Sequence, residues 1–453
     1  MKILVTGATG LVGQQLLPLL AAAGHDINVL TRDPKTAVAR LPVRCRRYKW
    51  DPALLEPPKE ALEGVDAVIN LAGENIAARW TDSKKAELER SRVLSTHQLV
   101  KAMEDMEARP RVFVSCSGIG YYGDRKSLEL DESVSGGNGV LADVCKKWEA
   151  EALKAESLGV RTVVLRIATV LGTDGGALKF MLPAFRMCVG GRVGSGRQWM
   201  SWIHVRDLAR LMLHAVETES LRGPVNATSP EPVTNAEFTR TLAKAVHRPA
   251  FLPMPAFLLK LVVGEMSGVL LDSQKAVPKK AEACGFRFDY PELEGTLVNL
   301  CDVHTHALRM EQWVPQPLNT MFEFYSDAKN LEVLTPPFLN FQVLGQSTRQ
   351  MEEGTRINYR LQLYGIPFRW QSVIMDWKSG RRFSDIQVVG PYWLWHHTHE
   401  FIEQDGGTLI RDCAIYRVPL WTLGELLIYP VVRRDLEKIF AFRWQKTCDL
   451  FGE

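Results

Sequence analysis

The feature that most limits what this chain can fold into is a glycine triplet close to its start. Gly7, Gly10 and Gly13 stand in the run Gly7-Ala8-Thr9-Gly10-Leu11-Val12-Gly13. Ahead of them, Lys2 to Thr6 is a short aliphatic and β-branched stretch of the kind a doubly buried parallel strand needs. Behind them the pattern predicts an apolar helix from Gln14 to Ala23, closed by Gly24-His25, and a second strand from Asp26 to Thr31. Strand, glycine turn, helix and strand in that order open a dinucleotide-binding α/β unit. In such a unit Gly7 permits the tight turn, Gly10 lets the backbone approach a pyrophosphate, and Gly13 lets helix and strand pack closely. The first helical turn presents N–H groups and a positive dipole end to phosphate charge. A lone triplet would be weak evidence, because an ordinary strand-helix turn uses the same residues; its flanks give this one its meaning. Gly7, Thr9, Gly10, Leu11, Val12 and Gly13 are therefore the first predicted cofactor contacts.

The end of the second strand bears on which dinucleotide is bound. An acidic residue there would take the ribose hydroxyls of NAD, but Thr31-Arg32-Asp33 places a guanidinium at that point. An arginine beside the ribose pairs with the 2′-phosphate of NADP, so NADP(H) is the favoured cofactor and Thr31 and Arg32 are predicted contacts. Asp33 follows one residue later and leaves NAD open. Val65 to Leu71 reads as a further buried strand ending in Asn70-Leu71-Ala72-Gly73-Glu74-Asn75, where small residues let the backbone at Leu71, Ala72 and Gly73 lie against the adenosine side of the cofactor. Strands at Arg111 to Ser117, Thr162 to Ile167 and Val225 to Ala227, and a helix at Leu208 to Val216, continue the β/α alternation.

Composition narrows the class. The chain has 453 residues, enough for two or three domains, with 46% hydrophobic and 24% charged residues and a net charge of +3. Nothing in that balance supplies a nucleic-acid footprint. No apolar run is long enough to span a bilayer. The first residues, MKILVTGATG, lack the regions of a signal peptide, and the eight cysteines show no paired spacing. A cytoplasmic protein with reduced thiols is expected.

GATGLVG, NLAG, SCSGIGYYG, LRIATVLG and SWIHVRDLA together resemble the extended short-chain dehydrogenase/reductase superfamily in order and spacing. NLAGENI, the stretch from Arg79 to Arg92, and the tail GEMSGVLLDSQKAVPKKAEACGFRFDYPELEGTL are similar to its atypical epimerase-like subgroup. That subgroup is often labelled nucleoside-diphosphate-sugar epimerase or cell-division inhibitor. The resemblance covers residues 1–297, with 251–297 as the subgroup's small carboxyl-terminal module. It implies an oxidoreductase or epimerase, with Ser117 as a catalytic Ser/Thr. The superfamily's remaining catalytic pair is a Tyr and a Lys four residues on, which exchange the substrate proton and hold the nicotinamide ribose. Aligning Glu149 with the glutamate that follows that lysine places Leu141 at the Tyr position and Cys145 at the Lys position, and neither can do the work. Tyr121, Tyr122, Glu132 and Asp143 are conceivable substitutes, each with a structural alternative. Arg92 stands where extended members usually carry an asparagine near the cofactor, and a guanidinium there can reach a phosphate. His204 is expected to be structural.

From Val298 onward strand-like runs with aromatic residues follow one another: Val298 to Arg309, Phe338 to Leu344, Thr355 to Tyr364, Phe368 to Asp376, Arg381 to Val389, Trp393 to Glu403 and Gly407 to Arg417. Glycine-containing turns separate most of them, which predicts an antiparallel meander. Helices are expected at Pro317 to Leu334 and Leu423 to Phe451, the second with an apolar stripe suited to lying on a sheet. Stretches such as YRLQLYGIPFRWQSVI and FSDIQVVGPYWLWHHTHEF resemble the polyketide-cyclase-like branch of the START-like (SRPBCC) helix-grip fold. Residues 298–453 are thus expected to form a second, α+β domain. The resemblance implies an apolar cavity for a small-molecule, hydrophobic ligand. His397 and His399 share one strand face and His396 points away, so spacing alone implies no third ligand and no metal is assigned. His304 and His306 are read the same way. The expected whole is an NADP(H)-binding Rossmann domain joined to a START-like domain. It acts either as an oxidoreductase or as a cofactor-binding sensor or scaffold linked to cell division or envelope.

Overall fold

Lys2–Thr6 forms an interior strand, β1, of a parallel sheet, and the glycine turn leads from it into helix α1, Leu11–Ala22. In the computed structural model the chain is described except at residues 35, 36, 38–40, 42, 44, 75, 77, 174, 302–305, 420–423, 425–427 and 453. It divides into two units, Met1–Pro34 with Cys45–Cys301, and Lys35–Arg44 with Asp302–Glu453. In the first, strands β2 (Asp26–Thr31), β3 (Arg46–Lys49), β4 (Ala67–Asn70), β5 (Val112–Gly118), β6 (Arg161–Ile167) and β7 (Gly223–Ala227) join β1. All pair in parallel, in the order β7-β6-β5-β4-β1-β2-β3. The order changes direction between β1 and β4, and in an open parallel sheet that point opens a crevice beyond the carboxyl ends of the strands. The middle strands are aliphatic because helices cover both faces: Ile3, Leu4, Val68, Phe113 and Val164 are fully buried. Helices α2 (Asp82–Glu104), α3 (Val140–Leu153) and α4 (Val205–Glu217) belong to this cover.

Helix α5, Leu293–Cys301, carries the first unit past Leu297 to Cys301. This corrects the strand expected at Val298 to Arg309. Leu293, Thr296, Leu297 and Cys301 are buried at helical spacing, and a strand begins only at His306. His304 lies outside the described residues.

In the second unit β8 (His306–Val314), β9 (Gln342–Gln346), β10 (Arg356–Leu363), β11 (Ile366–Lys378), β12 (Arg382–Val389), β13 (Leu394–Gln404) and β14 (Gly407–Arg417) form one antiparallel sheet. Its order is β8-β14-β13-β12-β11-β10-β9. The expected helix at Pro317 to Leu334 is broken into α6 (Leu318–Tyr325) and a short turn at Asn330–Val333. Asp327 interrupts it by accepting the Lys329 N–H at 3.0 Å. The strand expected from Phe338 starts only at Gln342, because Pro336-Pro337 opens a tight turn and Asn340 takes φ 42°. The last helix, α7, spans Tyr429–Phe451, and the start expected at Leu423 lies outside the described residues. Leu436 and Phe440 of α7 pack on Leu308, Trp395, Ala414 and Tyr416 of the sheet. Among the described residues no helix is long and apolar enough to cross a membrane.

Candidate functional site

The glycine loop is built against the end of β4. Gly7 has φ +66°, and a Cβ added there would lie 2.8 Å from the Leu71 carbonyl group. At Gly13 a Cβ would sit 2.4 Å from the Ala8 carbonyl oxygen, so only glycine lets α1 lie this close to the turn. Thr6 ties the two strand ends together: its hydroxyl donates to Asn70 Oδ1 at 2.7 Å and accepts the N–H groups of Leu71 and Ala72 at 3.1 and 3.0 Å. Helix α1 starts with no side-chain cap and no acidic residue in its first turn, which leaves that end for an anion.

Above it lies a cleft of about 920 Å³. Of the predicted site residues, Gly7, Gly10, Leu11, Val12, Gly13, Leu71, Ala72, Gly73, Arg92 and Ser117 line it. Thr9, Thr31 and Arg32 do not; Thr31 closes β2 half-buried, and Arg32 is exposed just beyond it. Asn75, the last residue of the GEN segment, lies outside the described residues. Arg92 Nη2 donates to the Glu74 carbonyl at 2.8 Å and Nη1 to the Leu88 carbonyl at 3.1 Å. Its guanidinium also lies 5.4 Å from the centre of the Trp148 ring. Burial lowers its pKa from the usual arginine value. Arg92 is thus a positioned cation at the cleft wall, not a loose surface charge.

Leu141 and Cys145 both face the cleft where the superfamily's Tyr and Lys are expected. Burial pushes the Cys145 thiol up to about 11 and the neighbouring Cys116 thiol up to about 12, so both are neutral near pH 7. The Ser117 hydroxyl donates to Glu149 Oε1 at 2.7 Å. Glu149 in turn accepts from Arg166 Nε at 2.9 Å and Nη2 at 2.8 Å. Arg166 continues to the Tyr122 hydroxyl at 3.0 Å, and that hydroxyl donates to Asn226 Oδ1 at 2.8 Å. Burial works against the Arg166 charge, but the Glu149 carboxylate outweighs it and raises the pKa.

This buried chain is not visible as a unit in the sequence. Its signal was Arg166, a charge inside the aliphatic run Thr162 to Ile167, which demands a buried partner. Tyr122 is consumed by the chain, and Tyr121 packs under Arg166 with its ring centre 3.6 Å from the guanidinium carbon. Glu132 accepts the Asn226 N–H at 3.0 Å, and Asp143 pairs on the surface with Lys146 at 3.5 Å. None of these four lines the cleft. His204 caps α4 by accepting the Arg206 N–H and stacks on Tyr290 at 3.9 Å, as a structural histidine does. The cleft does hold one carboxyl of altered acidity: burial, with Asp124 adding to it, raises the Asp272 pKa.

The second unit contains a cavity of about 390 Å³ between sheet and helix α7. Its wall is largely aromatic and aliphatic, including Tyr359, Phe368, Trp370, Trp395, Leu436 and Phe440, with a polar end at Asp385, His397, His399 and Arg443. His306 lies elsewhere, stacked on Tyr429 at 4.0 Å.

Residues 3–227 match the model of the NAD dependent epimerase/dehydratase family, and residues 254–300 match a domain of unknown function, DUF1731. A chloroplastic epimerase family protein SDR39U1 homolog from Arabidopsis thaliana is 40% identical, over 66% of this chain and 86% of its own length. The epimerase family protein YfhF of Bacillus subtilis is 37% identical, over 66% of this chain and 98% of its own. The structure of human SDR39U1 (isoform 2) solved with NADPH superposes with a TM-score of 0.60 at 35% identity, covering 67% of this chain and 99% of that one. A nucleoside-diphosphate sugar epimerase from Corynebacterium glutamicum gives 0.53 at 30% identity, over 67% of this chain and 58% of its own. On this sequence identity and on the parallel sheet that carries the cleft, the chain belongs to the NAD dependent epimerase/dehydratase family, alongside the SDR39U1 proteins.

Proposed function

We propose that this protein binds NADP(H) in the cleft above the glycine loop and acts as an oxidoreductase or epimerase-type enzyme on a small-molecule substrate. The observation that carries the reading is the uncapped start of α1, reached by a turn in which Gly7 packs against the end of β4 and Gly13 against Ala8, at the sheet's switch point. NADPH in the human relative's structure supports the choice of cofactor. In this reading the pyrophosphate sits on Gly10 to Gly13, the adenosine lies along Leu71 to Gly73, Arg32 meets the 2′-phosphate, and Arg92 meets a phosphate or an anionic substrate. The cofactor supplies hydride chemistry. The chain supplies binding, orientation and a dry wall of Leu141 and Cys145. Asp272, which lines the cleft and whose carboxyl burial pushes above its ordinary pKa, is the proposed proton donor in place of the usual tyrosine.

The second unit is proposed to be a START-like, helix-grip domain whose cavity holds a hydrophobic ligand, with the whole protein working in the cytoplasm. The aromatic wall of the cavity supports that reading. A second function, a cofactor-binding sensor with little turnover, is favoured by one specific observation: Ser117 is bonded to Glu149, and Leu141 and Cys145 line the cleft where a Tyr and a Lys are expected. NADPH fluorescence on mixing tests the binding, and Gly10→Val is expected to abolish it. Turnover across a panel of carbonyl compounds then separates the two functions. Binding without turnover on every member would sink the enzyme reading, and retained binding in the Gly10 variant would sink the pyrophosphate assignment.

A further inference from the structure

The polar end of the second cavity is assembled by strand register. Asp385 of β12 lies directly opposite His397 of β13, and His399 of β13 lies directly opposite Asp412 of β14. Being two residues apart on one strand, the histidines share a face. Both rings are buried, at 3% and 4% exposure. The two carboxylates approach the rings from opposite edges. Asp385 Oδ2 is 3.3 Å from His397 Nδ1 and 3.8 Å from His399 Nε2; Asp412 Oδ1 is 3.3 Å from His397 Nε2 and 2.6 Å from His399 Nδ1. Asp385 is already oriented, because its other oxygen accepts from Trp395 Nε1 at 3.1 Å and Ser372 Oγ at 3.3 Å. On the Asp412 side the crowded atoms, His397 Nε2, His399 Nδ1 and Asp412 Oδ1, make no hydrogen bond of proper geometry.

We propose that Asp385, His397 and His399 bind a divalent transition-metal ion whose open coordination positions face the cavity. Three observations carry this. One ligand atom from each residue lies within 4.8 Å of the others. The same three residues line the cavity, while Asp412 does not. Asp412 sits on the far ring nitrogens, where the outer carboxylate of a metal-bound histidine belongs and where it fixes the tautomer. Two imidazoles and one carboxylate with free positions is a ligand set that suits first-row divalent metals. The spacing of the histidines could not reveal this, because both carboxylates come from the neighbouring strands and meet the rings only through strand register. The competing account is a proton shared within the cluster, with no metal.

The test uses the tag-free full-length chain, stripped with a chelator and equilibrated with equimolar Co2+ or Zn2+ at neutral pH. Expected are retention of about one equivalent through gel filtration and visible Co2+ absorption that Zn2+ abolishes. Asp385→Asn and His399→Gln should lose stoichiometric retention, and Asp412→Asn should weaken it about 10–100-fold. His396→Gln, on the opposite strand face, should retain the ion. If the wild-type chain retains neither metal, the proposal fails and the proton-shared cluster stands, whatever the variants do. Unchanged affinity in Asp385→Asn, or equal loss in His396→Gln, would overturn it as well.

Discussion

Glu149→Gln is the substitution whose cost the structure defines most fully. Glu149 is 4% exposed and Arg166 2%, and the pair meets through two hydrogen bonds of 2.9 and 2.8 Å. Glutamine keeps the shape but removes the charge, and it turns one acceptor into a donor. That donor must face either the Ser117 hydroxyl or an Arg166 N–H, both of which already donate. The guanidinium stays buried, since Arg166 is also held against Tyr121 and the Tyr122 hydroxyl. Breaking a buried ion pair on one side costs about 3–5 kcal/mol, a large part of the roughly 5–15 kcal/mol that holds a domain folded. At about 2–4 °C per kcal/mol, the transition of the first unit should fall by roughly 6–20 °C. Replacing both partners with apolar residues, Glu149→Leu with Arg166→Met, should recover most of that loss. Urea and thermal unfolding of Glu149→Gln, and of the cycle of wild type, Glu149→Leu, Arg166→Met and their combination, would measure it. A Glu149→Gln loss below about 1 kcal/mol, or strict additivity in the double variant, would refute the claim that this pair is mutually required.

Three further outcomes are expected. Arg32→Ala should weaken NADPH binding about 10–100-fold, the loss of a charge-assisted hydrogen bond of about 1.5–3 kcal/mol, and leave NADH binding unchanged by calorimetry. Equal binding of NADPH before and after would remove Arg32 from the 2′-phosphate. Cys116 and Cys145 should resist iodoacetamide in the native chain at pH 8, since burial holds their thiols near 12 and 11, and peptide mass spectrometry would detect any labelling. Phe440→Ala should destabilise the second unit by about 3–5 kcal/mol, because Phe440 is buried against the sheet; an unchanged denaturation midpoint would contradict that packing.

Much of the first unit was legible because local and global signals agree there. The run Asp26 to Thr31 and the strand Lys2 to Thr6 need both buried faces and a glycine turn, and each appears in the residues themselves. Unreadable parts depend on partners far away in sequence. Ser117 looked like a catalytic hydroxyl, and only the fold brings Glu149 and Arg166 to it. The end of α5 was mistaken for a strand because a four-residue apolar spacing in a short segment fits either period. The break at Ser326-Asp327 was missed because a local side-chain bond won over helix propensity. Similarly, the histidines of β13 carried no meaning until register supplied Asp385 and Asp412.

The order of strands in the second sheet has a consequence for synthesis. β8 is made first but, among the described residues, pairs only with β14, the last strand to be made, through contacts such as Val314 with Thr408. Until β14 emerges from the ribosome, β8 has no neighbour, and at about 5–20 residues per second that wait lasts roughly 5–20 seconds. The parallel sheet of the first unit is complete once Ala227 has been made. Nascent chains stalled after Val314 and before Gly407 would therefore carry a finished dinucleotide fold followed by an unpaired, aggregation-prone strand, a natural target for chaperone capture.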